Sequence, residues 1–284
     1  MQPKGKLLII GGAEDLGEKQ HPMEEKNKEF ERFEILKELL PKSKKSRIEI
    51  ITTGSKIQAH VKKIYQKAFH KIGYSHPGFI PIKDRLGAHD ARYIERVKKA
   101  AAIFFTGGDQ FRLSTILGGT KIIDIIKHRY KHDRNFIVAG TSAGAMAMAT
   151  IMITEGGLEE ALIGKDLKTS SGLGLLRDCV IDTHFIKRGR FSRLAHAIII
   201  NPDQLGIGLG EDTALIIKNG THAECRGSGM VVIIDGRYIQ QTNISLVESN
   251  EPVYVENLRV HLLVKGCKFS IKTRKLFKYS LPTK

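Results

Sequence analysis

Over the first two-thirds of the chain, short unbroken apolar runs alternate with amphipathic stretches. The runs at 6–10, 47–52, 78–82, 101–106 and 136–139 are rich in Ile, Val, Leu and Phe, and each is too short for a helix. They predict buried strands. Between them, apolar residues recur at three- and four-residue spacing. Phe30, Phe33, Ile35, Leu36, Leu39 and Leu40 predict one side of a helix over 24–40, stopped by Pro41. A second helix is predicted over 57–72, closed by Gly73, and a third from an Asp90 cap through Ala100. Two short helices then lead to the run at 136–139. Strands separated by one helix each predict an α/β fold, with a doubly wound, mostly parallel sheet flanked by helices. Past residue 205 the pattern turns to short strands broken at Asn219-Gly220 and Asp235-Gly236. Such pairs mark hairpins, so antiparallel C-terminal strands extending the same sheet are expected. The stretch 265–272 alternates Lys with apolar residues in the manner of an edge strand. No linker or internal repeat divides the chain, so residues 1–284 are read as one α/β domain.

Composition changes this picture little. Apolar content of 41% and charged content of 27% suit a globular protein with a sizeable core. No run approaches the ~18 apolar residues of a membrane span, and the cytoplasm is the expected compartment. Cys179, Cys225 and Cys267 lie far apart with no C-x-x-C pair, which predicts buried thiols and neither disulfides nor a zinc knuckle. The formal charge of +16 raises the question of a polyanionic partner. Its lysines are scattered, however: Lys42, Lys44 and Lys45 in one loop, Lys62 and Lys63 on a helix, others from Lys265 to the end. With no arginine-rich arm or RNA-binding aromatic pattern, the charge is read as solvated surface, and no nucleic acid is expected.

The candidate chemistry sits at strand ends. Gly11-Gly12, Gly107-Gly108 and Gly140-Thr141-Ser142-Ala143-Gly144 each follow a predicted strand. In a doubly wound sheet such ends converge on one ligand-binding edge. None matches a dinucleotide or P-loop fingerprint, so no cofactor is expected, and no ligand cluster suggests a metal. The third stretch puts a serine at the apex of a G-x-S-x-G strand-turn-helix, the frame of a nucleophile elbow. A serine nucleophile needs a base, oriented by an acid. His184 closes the apolar strand 180–185, whereas His60, His70, His76, His128, His132 and His196 lie on or beside predicted helices. Glu211, which ends the glycine-spaced run 206–210, is the candidate acid, with Asp212 its competitor. Arg188, Arg190 and Arg193 fall within six residues of one another, just after the histidine. They suit bidentate recognition of carboxylates, Arg193 foremost, or structural pairing with Asp182 or Glu211.

The order Ser142, His184, Glu211 is not the Ser-Asp-His order of α/β-hydrolases. Together with Gly11-Gly12-Ala13-Glu14-Asp15, Gly107-Gly108-Asp109-Gln110, Asp182-Thr183-His184-Phe185, the three arginines and 206–213, it resembles the cyanophycinase and dipeptidase E family of serine peptidases. That family is related in fold to class I glutamine amidotransferases. The shared motifs run from about residue 5 to 240, and the first motif and the arginine run resemble the cyanophycinase branch. The resemblance implies hydrolysis of cyanophycin, a poly-aspartate bearing an arginine on each side-chain carboxyl group, to β-Asp-Arg dipeptides. It implies Ser142 as nucleophile, His184 as base, Glu211 as third member, and an oxyanion hole of the Gly108 and Ala143 N–H groups. Gln110, Asp182, Thr183, Arg188, Arg190 and Arg193 would hold the zwitterionic substrate, in an enzyme that is a homodimer. Thr183 stands where many cyanophycinases carry glutamine. Residues from about 255 to 284 form a basic C-terminal extension outside the shared motifs. The other readings are an aspartyl or isoaspartyl dipeptidase of the same family and, resting on charge alone, a non-catalytic polyanion-binding protein.

Overall fold

The structure is a computed structural model that describes residues 2–43, 46–156 and 162–279. Lys44, Lys45 and the lysine at the chain end lie outside the described residues. The apolar runs form β1 (Lys6–Ile10), β2 (Ile48–Ile51), β3 (Gly78–Ile80), β4 (Ala102–Phe105) and β5 (Ile137–Thr141). They lie parallel in the order β1-β5-β4-β2-β3. Their unbroken apolarity reflects burial on both faces. In β1, Leu8 and Ile10 join one core cluster, while Leu7 and Ile9 join the other. The first cluster is covered by α1 (Glu34–Lys37) and α2 (Gln58–Lys71). The second is covered by α3 (Ala91–Lys99), α4 (Gln110–Leu117), α5 (Lys121–His132) and α6 (Ala143–Met146). The Asp90 cap forms as expected, its carboxylate accepting the Arg92 N–H at 2.8 Å.

The predicted helix over 24–40 shrinks to α1. Side chains compete there for the backbone. Asp15 accepts the N–H of Phe33 at 2.9 Å, and Phe33 itself adopts φ 59°. Asn27 accepts the N–H of Glu29 at 2.9 Å and donates to the Ser228 carbonyl at 2.7 Å. The segment is laced to the loops at the strand ends instead of coiling.

The C-terminal third divides between sheets. β6 (Ile151–Glu155) and β7 (Lys168–Ser171) pair as a separate antiparallel ribbon. β8 (Cys179–Asp182) and β9 (Leu205–Leu209) lie parallel, linked through α7 (Phe191–Ile200). β10 (Thr213–Lys218) and β11 (His222–Gly227) form the expected hairpin across Asn219-Gly220, both at positive φ, and extend the main sheet antiparallel from β1. β12 (Val231–Asp235) does not continue that sheet. It pairs with β9, and the Asp235 carboxylate caps a 3₁₀ turn by accepting the Arg237 N–H, so Asp235-Gly236 is no hairpin tip. After the short ribbon of β13 (Gln241–Thr242) and β14 (Val255–Glu256), β15 (Arg259–Leu263) completes a four-stranded sheet, β15-β12-β9-β8. β16 (Cys267–Ser270) returns to β11, and β17 (Lys275–Tyr279) forms the edge of the nine-stranded sheet. The expected edge strand is therefore one strand in from the edge. The basic extension is built in: Arg274, 7% exposed, forks from the β16–β17 turn onto Asp235 and the Asp203 carbonyl. All three cysteines are free and buried. Among the described residues no helix is long and apolar enough to cross a membrane.

Candidate active site

The loops after β1, β4, β5, β8 and β9 meet at one end of the two sheets. Ser142 stands between β5 and α6 at φ 51°, ψ −120°, a conformation held against its own steric cost. Its N–H donates to the Ile10 carbonyl at 3.0 Å, which ties the elbow to the end of β1. The flanking glycines are required by approach: a Cβ on Gly140 would lie about 2.5 Å from the Gly144 carbonyl, and one on Gly144 would overlap that of Phe105. Beneath the elbow, buried Glu14 accepts the Thr141 and Tyr65 hydroxyls, each at 2.6 Å. Burial pushes the Glu14 carboxyl up in pKa, against the pull of those hydroxyls.

His184 follows β8 at φ 49°. Its N–H donates to the Gly11 carbonyl at 2.8 Å, and the Phe185 N–H donates to Leu209 at 3.0 Å. The loop is thus clamped between the main sheet and the small one. A side chain at Gly12 would overlap the imidazole, so the first glycine pair serves the histidine. Ser142 Oγ lies 3.0 Å from His184 Nε2, and His184 Nδ1 lies 2.7 Å from Glu211 Oε1. A proton on Nδ1, held by the carboxylate, leaves Nε2 free to accept from the serine.

Of the two candidate acids, Glu211 faces the imidazole. Asp212 turns away, accepting the Asp15 N–H at 3.1 Å and the Ser228 hydroxyl, and burial pushes its carboxyl up. Partial burial also pushes Glu211 up, but hydrogen bonds from His184 and Lys187 and their charges outweigh it and hold this carboxyl below the ordinary range. Lys187 Nζ, 3.0 Å from Glu211 Oε2, is a member of the site that the motif reading missed. Its position three residues past the histidine was the available signal.

Asp182 lies at the end of β8 with no exposure. Arg193 forks both of its oxygens, Arg190 reaches one at 3.1 Å, and the Thr183 N–H donates to the same oxygen at 2.8 Å. Arg190 also donates to the Thr183 carbonyl at 2.8 Å. Asp182, Thr183 and Arg193 are buried, so they form a braced floor beneath His184. Arg193, the foremost candidate for carboxylate recognition, is 4% exposed and engaged with Asp182. Arg188 differs: it is exposed and makes no ion pair among the described residues. The Gly107-Gly108 turn runs beside Ser142. Gly108 opens a groove that Gln110, Phe111, Glu155 and Lys168 also line. Gln110 donates to the Ile153 carbonyl at 3.1 Å, tying that groove to the β6–β7 ribbon.

A serine on a strained elbow, in line with an imidazole and a carboxylate, has the geometry that a serine-type hydrolase centre requires. The family model of peptidase family S51 matches residues 16–225, and the chain belongs to that family. It is a serine-type peptidase. Its relatives include the cyanophycinase of Trichormus variabilis, 34% identical over 273 residues covering 95% of this chain and 87% of the relative. A second, from Synechococcus elongatus, is 34% identical over 229 residues, covering 81% of this chain and 71% of the relative. Among solved structures, a peptidase from an acI-B1 actinobacterium shares the fold, with TM-score 0.63 and 22% identity over 94% of this chain and 96% of that one.

Proposed function

We propose that this peptidase is an exopeptidase that cuts cyanophycin to β-Asp-Arg dipeptides through an acyl-enzyme. The observation that carries it is the hydrogen-bonded line from Ser142 through His184 to Glu211, joined to the kinship with cyanophycinases. Ser142 Oγ attacks the backbone carbonyl of an aspartyl unit while its proton passes to His184 Nε2. The oxyanion is met by the N–H groups of Gly108 and Ala143, the second at a helix start. Collapse expels the amine, which leaves with the proton from His184. Water, deprotonated by the same imidazole, then releases the acyl unit and restores Ser142. Arg188 takes the free carboxylate of an arginyl branch, and the Gln110 side-chain carbonyl takes its guanidinium. Asp182, Thr183, Arg190 and Arg193 position the histidine loop. We read the enzyme as a cytoplasmic homodimer.

Purified protein is assayed on cyanophycin, on soluble β-Asp-Arg oligomers and on α-aspartyl dipeptides. Release of β-Asp-Arg is expected, with kcat lowered by about 10⁴-fold or more in Ser142→Ala. Cleavage of α-aspartyl dipeptides with cyanophycin left intact overturns the substrate. A Ser142→Ala variant keeping a tenth of the rate overturns the nucleophile.

A further inference from the structure

The opposite ends of the strands enclose a second pocket that this chemistry does not use. It lies between the residues before β1, the end of α5, the approach to β8 and the β16–β17 turn. β1 alone spans about 17 Å, so this pocket and Ser142 are separated by the length of the sheet. Lys127, Lys131, Arg177 and Lys272 line it, all exposed and without an ion pair among the described residues. Asp178 and Asp203 lie among them. The wall includes Tyr130, 3% exposed, whose hydroxyl has no hydrogen-bond partner among the described residues. Arg237 and Arg274 also line the pocket, but both are committed to Asp235 and fix its shape.

The mixture of charges says what kind of ligand fits. A phosphate polymer would meet two carboxylates among the cations, whereas a unit carrying both a carboxylate and a guanidinium meets partners of both signs. We propose that this pocket is a second, non-catalytic binding site for the zwitterionic aspartyl-arginine units of the polymer substrate. It holds one part of the polymer while another is cut at the far end of the sheet, which raises the local concentration of chain ends. This inference rests on the cyanophycin reading.

The test combines Lys131→Glu, Arg177→Glu and Lys272→Glu, with a neutralising set (each to Gln) as the milder variant. Binding is read in the Ser142→Ala background by co-sedimentation with cyanophycin granules at moderate salt. Turnover is read in the active background on a soluble two-unit β-Asp-Arg oligomer. The expected result is a loss of granule binding on the order of tenfold on charge reversal, a smaller loss on neutralisation, and oligomer turnover within about twofold of the parent. Undiminished sedimentation, or equal losses on granules and oligomer, overturns the second site and leaves the catalytic reading intact. A parent enzyme that cleaves neither granules nor oligomer overturns the catalytic reading itself, and the second site with it.

Discussion

Asp182 and Glu211 are carboxylates at the ends of neighbouring parallel strands, β8 and β9, yet their surroundings differ in kind. Asp182 has no exposure and is occupied by two guanidinium groups and a backbone N–H. The Glu211 side chain is 27% exposed, and its partners are one imidazole and one exposed ammonium. The first arrangement stores structure, because a buried carboxylate held by two guanidinium groups cannot turn to a ligand without leaving charges bare. The second leaves its imidazole also facing a hydroxyl, the arrangement that proton transfer needs. Residue type alone does not separate the two roles; the number of partners and access to the cleft do.

Removing each carboxylate therefore breaks a different property. Glu211→Gln keeps the shape but frees the His184 tautomer, and kcat is expected to fall by about 10³–10⁴-fold with the fold intact. Asp212→Asn should cost far less activity, and the reverse ranking in steady-state kinetics would exchange the two acids. Asp182→Ala leaves the buried Arg193 without its carboxylate and the half-buried Arg190 with the Thr183 carbonyl alone, so about 3–5 kcal/mol of stability is expected to go, read by denaturant unfolding. If Asp182→Ala unfolds like the parent while losing activity, the contrast drawn between the clusters is wrong.

The arginines sharpen the contrast at smaller scale. Arg188→Ala is expected to raise KM or lower kcat/KM on a β-Asp-Arg oligomer by about 10–100-fold with unchanged Tm. Arg193→Ala should lower Tm and leave the folded fraction closer to normal. Equal kinetic losses with equal stability would return Arg193 to the substrate.

The smallest effect is in pH. The folded Glu211 carboxyl titrates below the ordinary glutamate range, so its contribution to stability is full above that range and is lost as pH falls through the lowered value. Parent and Glu211→Gln should differ by about 2 °C in Tm near neutrality, with the gap closing in acid. A gap that widens on acidification contradicts the pairing.

The strand ends were legible in the sequence because glycine, serine and histidine at the close of apolar runs serve a local geometric need. The parallel strands were legible because burial on both faces leaves unbroken apolar runs. The helix over 24–40 was misread because its apolar spacing is real, while Asp15 and Asn27 take backbone groups through contacts that spacing does not encode. The turn at Asp235 was misread for a related reason, since its side chain caps the backbone that a hairpin would need. The choice between Glu211 and Asp212 needed coordinates, as adjacent residues point to opposite sides of a chain. So did the division of the late strands into two sheets, because short apolar strands do not name their neighbours.

β1 lies at the seam of the large sheet, with β5 parallel on one side and β10 antiparallel on the other. Its consequence falls during synthesis. Residues 6–10 leave the ribosome before either partner, one of which spans residues 137–141 and the other 213–218. An apolar strand with two open edges must wait until most of the chain has been made, the situation in which nascent proteins pair wrongly and chaperones are engaged. The seam cannot close on either flank alone, so separately produced N- and C-terminal halves would each present an open edge to the other.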